Sequence, residues 1–283
     1  MRRKNRRPDR RQFDWIGIGI LAGFAALLIG LCLVWFGRVR HAQVLKTAII
    51  ERRKARVEQL LAKNAYAQDE IDETLSYYFM SGSNDPNLEV LRLLMRHHAD
   101  PNSKKNNDPP LLQTIYRNDL AAARLLIAYG ADPKKGGYTK SLVAESARQS
   151  KPEFIKLFLA HGADPNQKDY MDNTPLQACI ASNDGASAKV LLDHGVDPNQ
   201  TGGKGNNGVV NTDAILCVAL AQGASKVSRE LILHGANVNV VAFEKQTPLT
   251  LAKQHQNKEL IALLRSRGAK EQFGNETSKS SAK

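Results

Sequence analysis

The chain is poor in cysteine and in aromatic side chains. Three cysteines in 283 residues are too few for a disulfide framework. Cys32 lies in an apolar run, while Cys179 and Cys217 lack the paired spacing of a zinc site. Phe, Trp and Tyr make up only 6% of the residues, so each exposed aromatic side chain stands out against a background with few of them. No Ser/His/Asp set, acid pair or metal spacing is present, so neither an enzyme nor a cofactor or metal site is expected. The glycines Gly202, Gly203, Gly205 and Gly208 surround Lys204, yet no strand leads in and no Lys-Ser/Thr helix follows. A phosphate cradle is therefore not expected there.

Charge is missing from one long stretch, and that absence is informative. Trp15 to Phe36 is 22 residues without a charged side chain. As a helix it would reach about 33 Å, close to the hydrocarbon thickness of a bilayer. Trp15 at one end and Trp35 with Phe36 at the other suit the two headgroup boundaries. One membrane-spanning helix is expected over 15–36, with a basic tail over 1–14. The run exceeds a cleavable signal's usual length, and no small-x-small site follows it, so an uncleaved anchor is expected. "RRQF" at Arg10 matches a twin-arginine export signal only loosely, because Asp14 stands where an apolar residue belongs.

Basicity is confined to the same region. Residues 1–56 hold 14 Lys/Arg against three acids, whereas the remaining residues hold 26 bases and 25 acids. Nucleic-acid binding by the main domain is not expected from that balance. Seven cations precede the apolar run and three follow it within 15 residues, which places the N-terminus in the cytoplasm. The C-terminal bulk would then lie outside, at the periplasmic face if the cell is bacterial. The opposite topology, with a cytoplasmic domain, is the alternative. Gly19-x-x-x-Gly23 and Ala26-x-x-x-Gly30 could pair two such helices, but glycine is common in membrane helices, and homodimerisation is not favoured.

What is abundant is repetition. "LLMRHHADPN", "LLIAYGADPK", "LFLAHGADPN", "LLDHGVDPN", "LILHGANVN" and "LLRSRGAK" are variants of one phrase. Its helix-ending position falls at His98, Gly130, Gly162, Gly195, Gly235 and Gly268, with separations of 32, 32, 33, 40 and 33. A second phrase stands upstream: "PPLLQTI", "KSLVAES", "NTPLQAC" and "QTPLTLA". Thr174 and Thr247 suit helix caps with Pro in the first turn, and glycine suits the left-handed residue at the far helix end. This pattern resembles the ankyrin repeat over about residues 74–269. The resemblance implies an all-α solenoid of stacked helix-turn-helix units with projecting hairpin-like loops, specialised for binding proteins. "VEQLLAKNA" suggests a degenerate capping repeat within the juxtamembrane segment 37–73, with Asn64 at the helix-ending position. Residues 270–283 have no apolar periodicity and read as a disordered tail.

The 40-residue spacing marks an insertion in the fifth unit. With Thr212 taken as its cap, five extra residues fall in the projecting loop and two in the helical part, which also aligns Cys179 with Cys217. A flexible recognition finger is expected there. The recurring His97, His161, His194 and His234 are read as structural, since packed units stand too far apart for shared metal coordination.

The fingers carry Lys104, Lys105, Lys134, Lys135, Lys140, Lys168, Lys204 and Lys245 against Asp108, Asp169, Asp172 and Glu244. Tyr138, Tyr170, Met171 and Phe243 are interleaved with them. The expected partner-binding set is Tyr138, Tyr170, Met171, Phe243, Lys104, Lys105, Lys134, Lys135, Lys168 and Lys204, facing an acidic protein surface. A membrane-tethered interaction protein is the leading expectation. A cytoplasmic-facing scaffold, or a protective factor that sequesters a toxin or enzyme, would share these features.

Overall fold

The computed structural model describes residues 43–51, 53–63, 66–81, 88–103, 108–204, 210–242 and 245–271, the side chains of 202–204 and 210–213 excepted. The expected membrane span Trp15–Phe36, the basic tail and the chain beyond Glu271 lie outside them. Among the described residues, no helix is long and apolar enough to cross a membrane. The chain divides into two compact units, one ending at His98 and the other starting at Ala99.

The first unit contains α1 (residues 43–50), α2 (Lys54–Ala62), α3 (Gln68–Met80) and α4 (Glu89–Arg96). Leu45, Ala48 and Ile49 of α1 are buried, as are Val57 and Leu61 of α2. The segment read as a degenerate cap therefore holds two successive helices, each with an apolar face. Asn64 lies outside the described residues. α3 runs through residue 74, where the repeats were expected to begin, and α4 packs against both α2 and α3.

The second unit holds five helix pairs among the described residues: α5 (Pro110–Arg117) with α6 (Leu120–Ala128), α7 (Leu142–Arg148) with α8 (Pro152–Ala160), α9 (Pro175–Ser182) with α10 (Gly185–Asp193), α11 (Ile215–Ala221) with α12 (Ser225–Leu233), and α13 (Pro248–Gln254) with α14 (Lys258–Ser266). The first helices pack in one layer, α5 on α7, α7 on α9 and α11 on α13. The second helices form a continuous row, α6 to α8 to α10 to α12 to α14. Small residues keep the first layer tight, with Ala144, Ala147, Ala178, Ala219 and Ala252 all buried. No pair could bury both faces alone, so each is stabilised by its neighbours. Phe154 and Phe158 of α8 are fully buried, with ring centroids 6.0 Å apart.

The repeated phrases act through local hydrogen bonding. Thr174 Oγ1 accepts from Gln177 N at 3.3 Å and Thr247 Oγ1 from Thr250 N at 3.2 Å, each opening a helix behind a first-turn proline. At the far helix ends, Gly130, Gly162, Gly195, Gly235 and Gly268 adopt φ of 92, 83, 83, 87 and 81°, where a Cβ would be strained. His98 occupies the same position in its phrase at φ 63°. The last asparagine of "DPN" or "NVN" then ties one turn to the next. Asn102 donates to Gly130 O at 2.9 Å and accepts from Asp132 N at 2.8 Å, and Asn239 does the same with Gly268 O and Lys270 N, at 3.1 and 2.9 Å.

The fifth unit departs from expectation. The insertion forms an antiparallel hairpin, β1 (Thr201–Lys204) and β2 (Val210–Ala214), in place of a flexible loop. Pairing runs Thr201 with Ala214, Gly203 with Asn211 and Lys204 with Val210. Thr212 belongs to β2, so it cannot cap the helix; the N-cap is Ala214. All the extra residues therefore lie in the projection, and the helical part keeps its ordinary length. Ile215, not Asp213, stands where Pro175 does in the preceding unit. The same shift places Cys217 opposite Gln177, so Cys179 and Cys217 are not equivalent. Both thiols are buried, and burial pushes Cys179 well above the ordinary thiol value.

Candidate functional site

The site is built on α5, α7 and the two fingers that follow α6 and α8. Tyr116 and Arg148 each stand seven residues after their helix N-caps, Pro109 and Ser141, and so occupy the same position of successive inner helices. Tyr138 lies in a short 3-10 turn, Gly137–Thr139. Gly136 precedes it, where a Cβ would come within 2.4 Å of the Lys140 carbonyl carbon, so only glycine lets the finger fold back this closely. Thr139 Oγ1 donates to Gly136 O at 2.7 Å and closes the turn. Ser141 then caps α7 by accepting from Ala144 N at 3.1 Å.

The next finger is organised by Asp169. Its carboxylate accepts from Met171 N at 2.8 Å and Asn173 N at 3.0 Å, while its own N–H donates to Asn173 O at 2.9 Å. Arg148 Nη2 donates to the same carboxylate across the repeat boundary. Asp169 is only 1% exposed, so this charge is compensated where water is excluded. Arg148 Nε sits 3.4 Å from Glu145 Oε2, an ion pair at distance that lacks hydrogen-bond geometry. Glu145 also accepts from Gln149 Nε2 at 3.0 Å. The Arg148 guanidinium lies 6.0 Å from the centre of the Tyr170 ring.

These supports bring three tyrosines into one row. Tyr116 and Tyr138 share a hydrogen bond between their hydroxyls at 2.6 Å. Tyr138 and Tyr170 have ring centroids 6.3 Å apart with planes inclined at 49°. Their exposures are 41, 44 and 50%, which leaves apolar ring surface in contact with water. The Tyr116 hydroxyl is pushed above the ordinary phenol value by partial burial first, then by the Tyr138 hydrogen bond and the Glu145 carboxylate.

Of the residues expected from sequence, the structure brings Tyr138 and Tyr170 together, with Met171 exposed beside them. Lys134, Lys135 and Lys168 are exposed on the same two fingers. Lys135 lies 3.7 Å from Asp132. Lys104, Lys105 and Phe243 fall outside the described residues, and Lys204 is placed on β1 without its side chain. Tyr116, Arg148 and Asp169 were not among the expected binding residues. Tyr116 and Arg148 could have been found by aligning the inner helices, because both fall at one helix-face position. Asp169 looked like one of several finger acids; only its burial sets it apart.

The recurrent histidines do other work. His161, His194 and His234 each engage the carbonyl four residues back through Nδ1, at 2.9, 2.7 and 2.7 Å, closing the helix end. Among the described residues, no group of three His, Cys, Asp or Glu side chains could hold a metal ion.

A helix pair recurring in two packed layers, with fingers rooted between pairs, decides the architecture. The fold is the ankyrin-repeat fold. The chain is similar to the crystal structure of the ankyrin repeat domain of Bcl-3, described as a unique member of the IkappaB protein family, with a TM-score of 0.63 and 20% identity. The match covers 78% of this chain and 97% of that one. At that identity the likeness speaks for the fold alone. No protein-family model matches the chain, and none of the curated proteins matches it.

Proposed function

We propose that this chain is a membrane-tethered ankyrin-repeat protein that binds a protein partner through its fingers and inner helices and carries out no catalysis. The observation that supports this most is the row of Tyr116, Tyr138 and Tyr170, half-exposed and held by buried polar contacts that fix its shape before any partner arrives. Pre-organised aromatic side chains of this kind are the usual anchors of protein interfaces, since they offer large contact area at small entropic cost. The lysines around the row favour an acidic partner surface. Tethering rests on the uncharged run Trp15–Phe36, and the cation bias before it favours a cytoplasmic N-terminus with the repeats on the outer face of the membrane.

Capture of partners from the native cell by the full chain tests the reading. Tyr138→Ala with Tyr170→Ala should weaken capture by about tenfold or more while the helical circular dichroism stays unchanged. Unweakened capture by a folded double variant would remove the site assignment. Protease added to intact spheroplasts, in which no outer membrane shields the repeats, should digest them; digestion only after lysis would reverse the topology.

A further inference from the structure

We infer that the tyrosine row receives an extended, proline-containing segment of its partner with acidic side chains between the prolines. This rests on the proposed interaction role and specifies the chemistry of the ligand.

Exposed lysines outnumber exposed acids on the two fingers, Lys134, Lys135, Lys140 and Lys168 against Asp164 and Asp172. Lys134, Lys140 and Lys168 are exposed and form no ion pair among the described residues. The carboxylates nearest the tyrosines are the reverse: Glu145 and Asp169 are 5 and 1% exposed and already engaged by Arg148. A ligand lying on the rings therefore meets exposed lysines, while Glu145 and Asp169 are withdrawn from it and Asp108 is engaged by Gln113 Nε2 at 3.1 Å. Acidic side chains on that ligand would find partners on both fingers.

The hydroxyls favour a ligand with unsatisfied carbonyls. The Tyr116–Tyr138 pair uses one of its two O–H protons internally, at 2.6 Å, and leaves the other to donate outward. A polyproline II segment has no internal hydrogen bonds, so all its carbonyls can accept. A helical ligand has spent most of its carbonyls on itself.

The inclined rings of Tyr138 and Tyr170 form a shallow trough into which a flat pyrrolidine fits. The stiffness of such a segment also lowers the entropy lost on binding.

Fluorescence anisotropy with the full chain in detergent, using three labelled peptides, tests the inference. One repeats Pro-Asp-Leu, one replaces each Pro with Gly, and one replaces each Asp with Lys. The Pro-Asp-Leu peptide should bind at least about tenfold more tightly than either control. Tyr138→Ala with Tyr170→Ala should weaken it by about tenfold, and Lys134→Glu with Lys168→Glu should do likewise without touching the rings. Equal binding of the Gly peptide would overturn the inference, because charge alone would then suffice. Absence of binding by all three would overturn it as well. Tyrosine-dependent capture of a cellular partner in that case would leave the interaction role standing, whereas loss of both would remove the role itself.

Discussion

Asp169 shows what a single residue does here. It is a buried carboxylate that accepts two backbone N–H groups and pairs with Arg148 from the preceding repeat. Removing one partner of a buried pair strands the other, so Asp169→Ala should cost about 2–4 kcal/mol in urea unfolding. It should also weaken partner capture, since the Tyr170 finger loses its internal template. Tyr116 gives a pH prediction of definite sign. Its folded value is raised by burial, the Tyr138 hydrogen bond and Glu145. The stability associated with it is thus fully present below the ordinary phenol value of 10.0 and is lost as pH rises toward the folded value. Ultraviolet titration should show ionisation delayed beyond the ordinary phenol value for Tyr116 and for Tyr66, and Tyr116→Phe should remove the Tyr116 part of it.

At the scale of elements, the short helices are defined by their ends. Caps at Thr174 and Thr247, and left-handed glycines after the second helices, are local and were legible in the phrases "TPL" and "HGADPN". The Tyr138 finger depends on a single backbone approach at Gly136, where an added methyl meets Lys140 and Ser141 backbone atoms at 2.4 to 2.6 Å. Gly136→Ala should destabilise the protein by about 1–3 kcal/mol in chemical denaturation. The fifth unit is where an element-level reading from sequence went astray. Thr212 has good cap chemistry, but strand pairing across the insertion takes up Val210–Ala214, and the helix can begin only after the ladder ends. A cap preference of about 1 kcal/mol yields to several ladder hydrogen bonds formed together.

For the second unit as a whole, stability resides in neighbour contacts along two rows of helices. The hairpin packs against α11 at its base. Deleting residues 202–208 would return the spacing to the common period. It should leave helical content intact and change stability by less than about 1 kcal/mol, as read from thermal unfolding. A larger loss would mean that the hairpin braces the array, and α11, which packs against both β1 and β2, is the place such bracing would act.

The sequence by itself determined the repeat, the two-helix unit, its caps and glycines, and the presence of aromatic, lysine-bearing fingers. Those follow from short-range spacing, because a helix end or a turn is decided within a few residues. Only the tertiary structure decided that Tyr116 joins Tyr138 and Tyr170, that Arg148 and Asp169 lock consecutive repeats, and that the insertion is a hairpin which moves the fifth helix start to Ala214. Each of these is a contact between residues far apart in the chain, governed by packing and by which charge is buried, and no local preference records it.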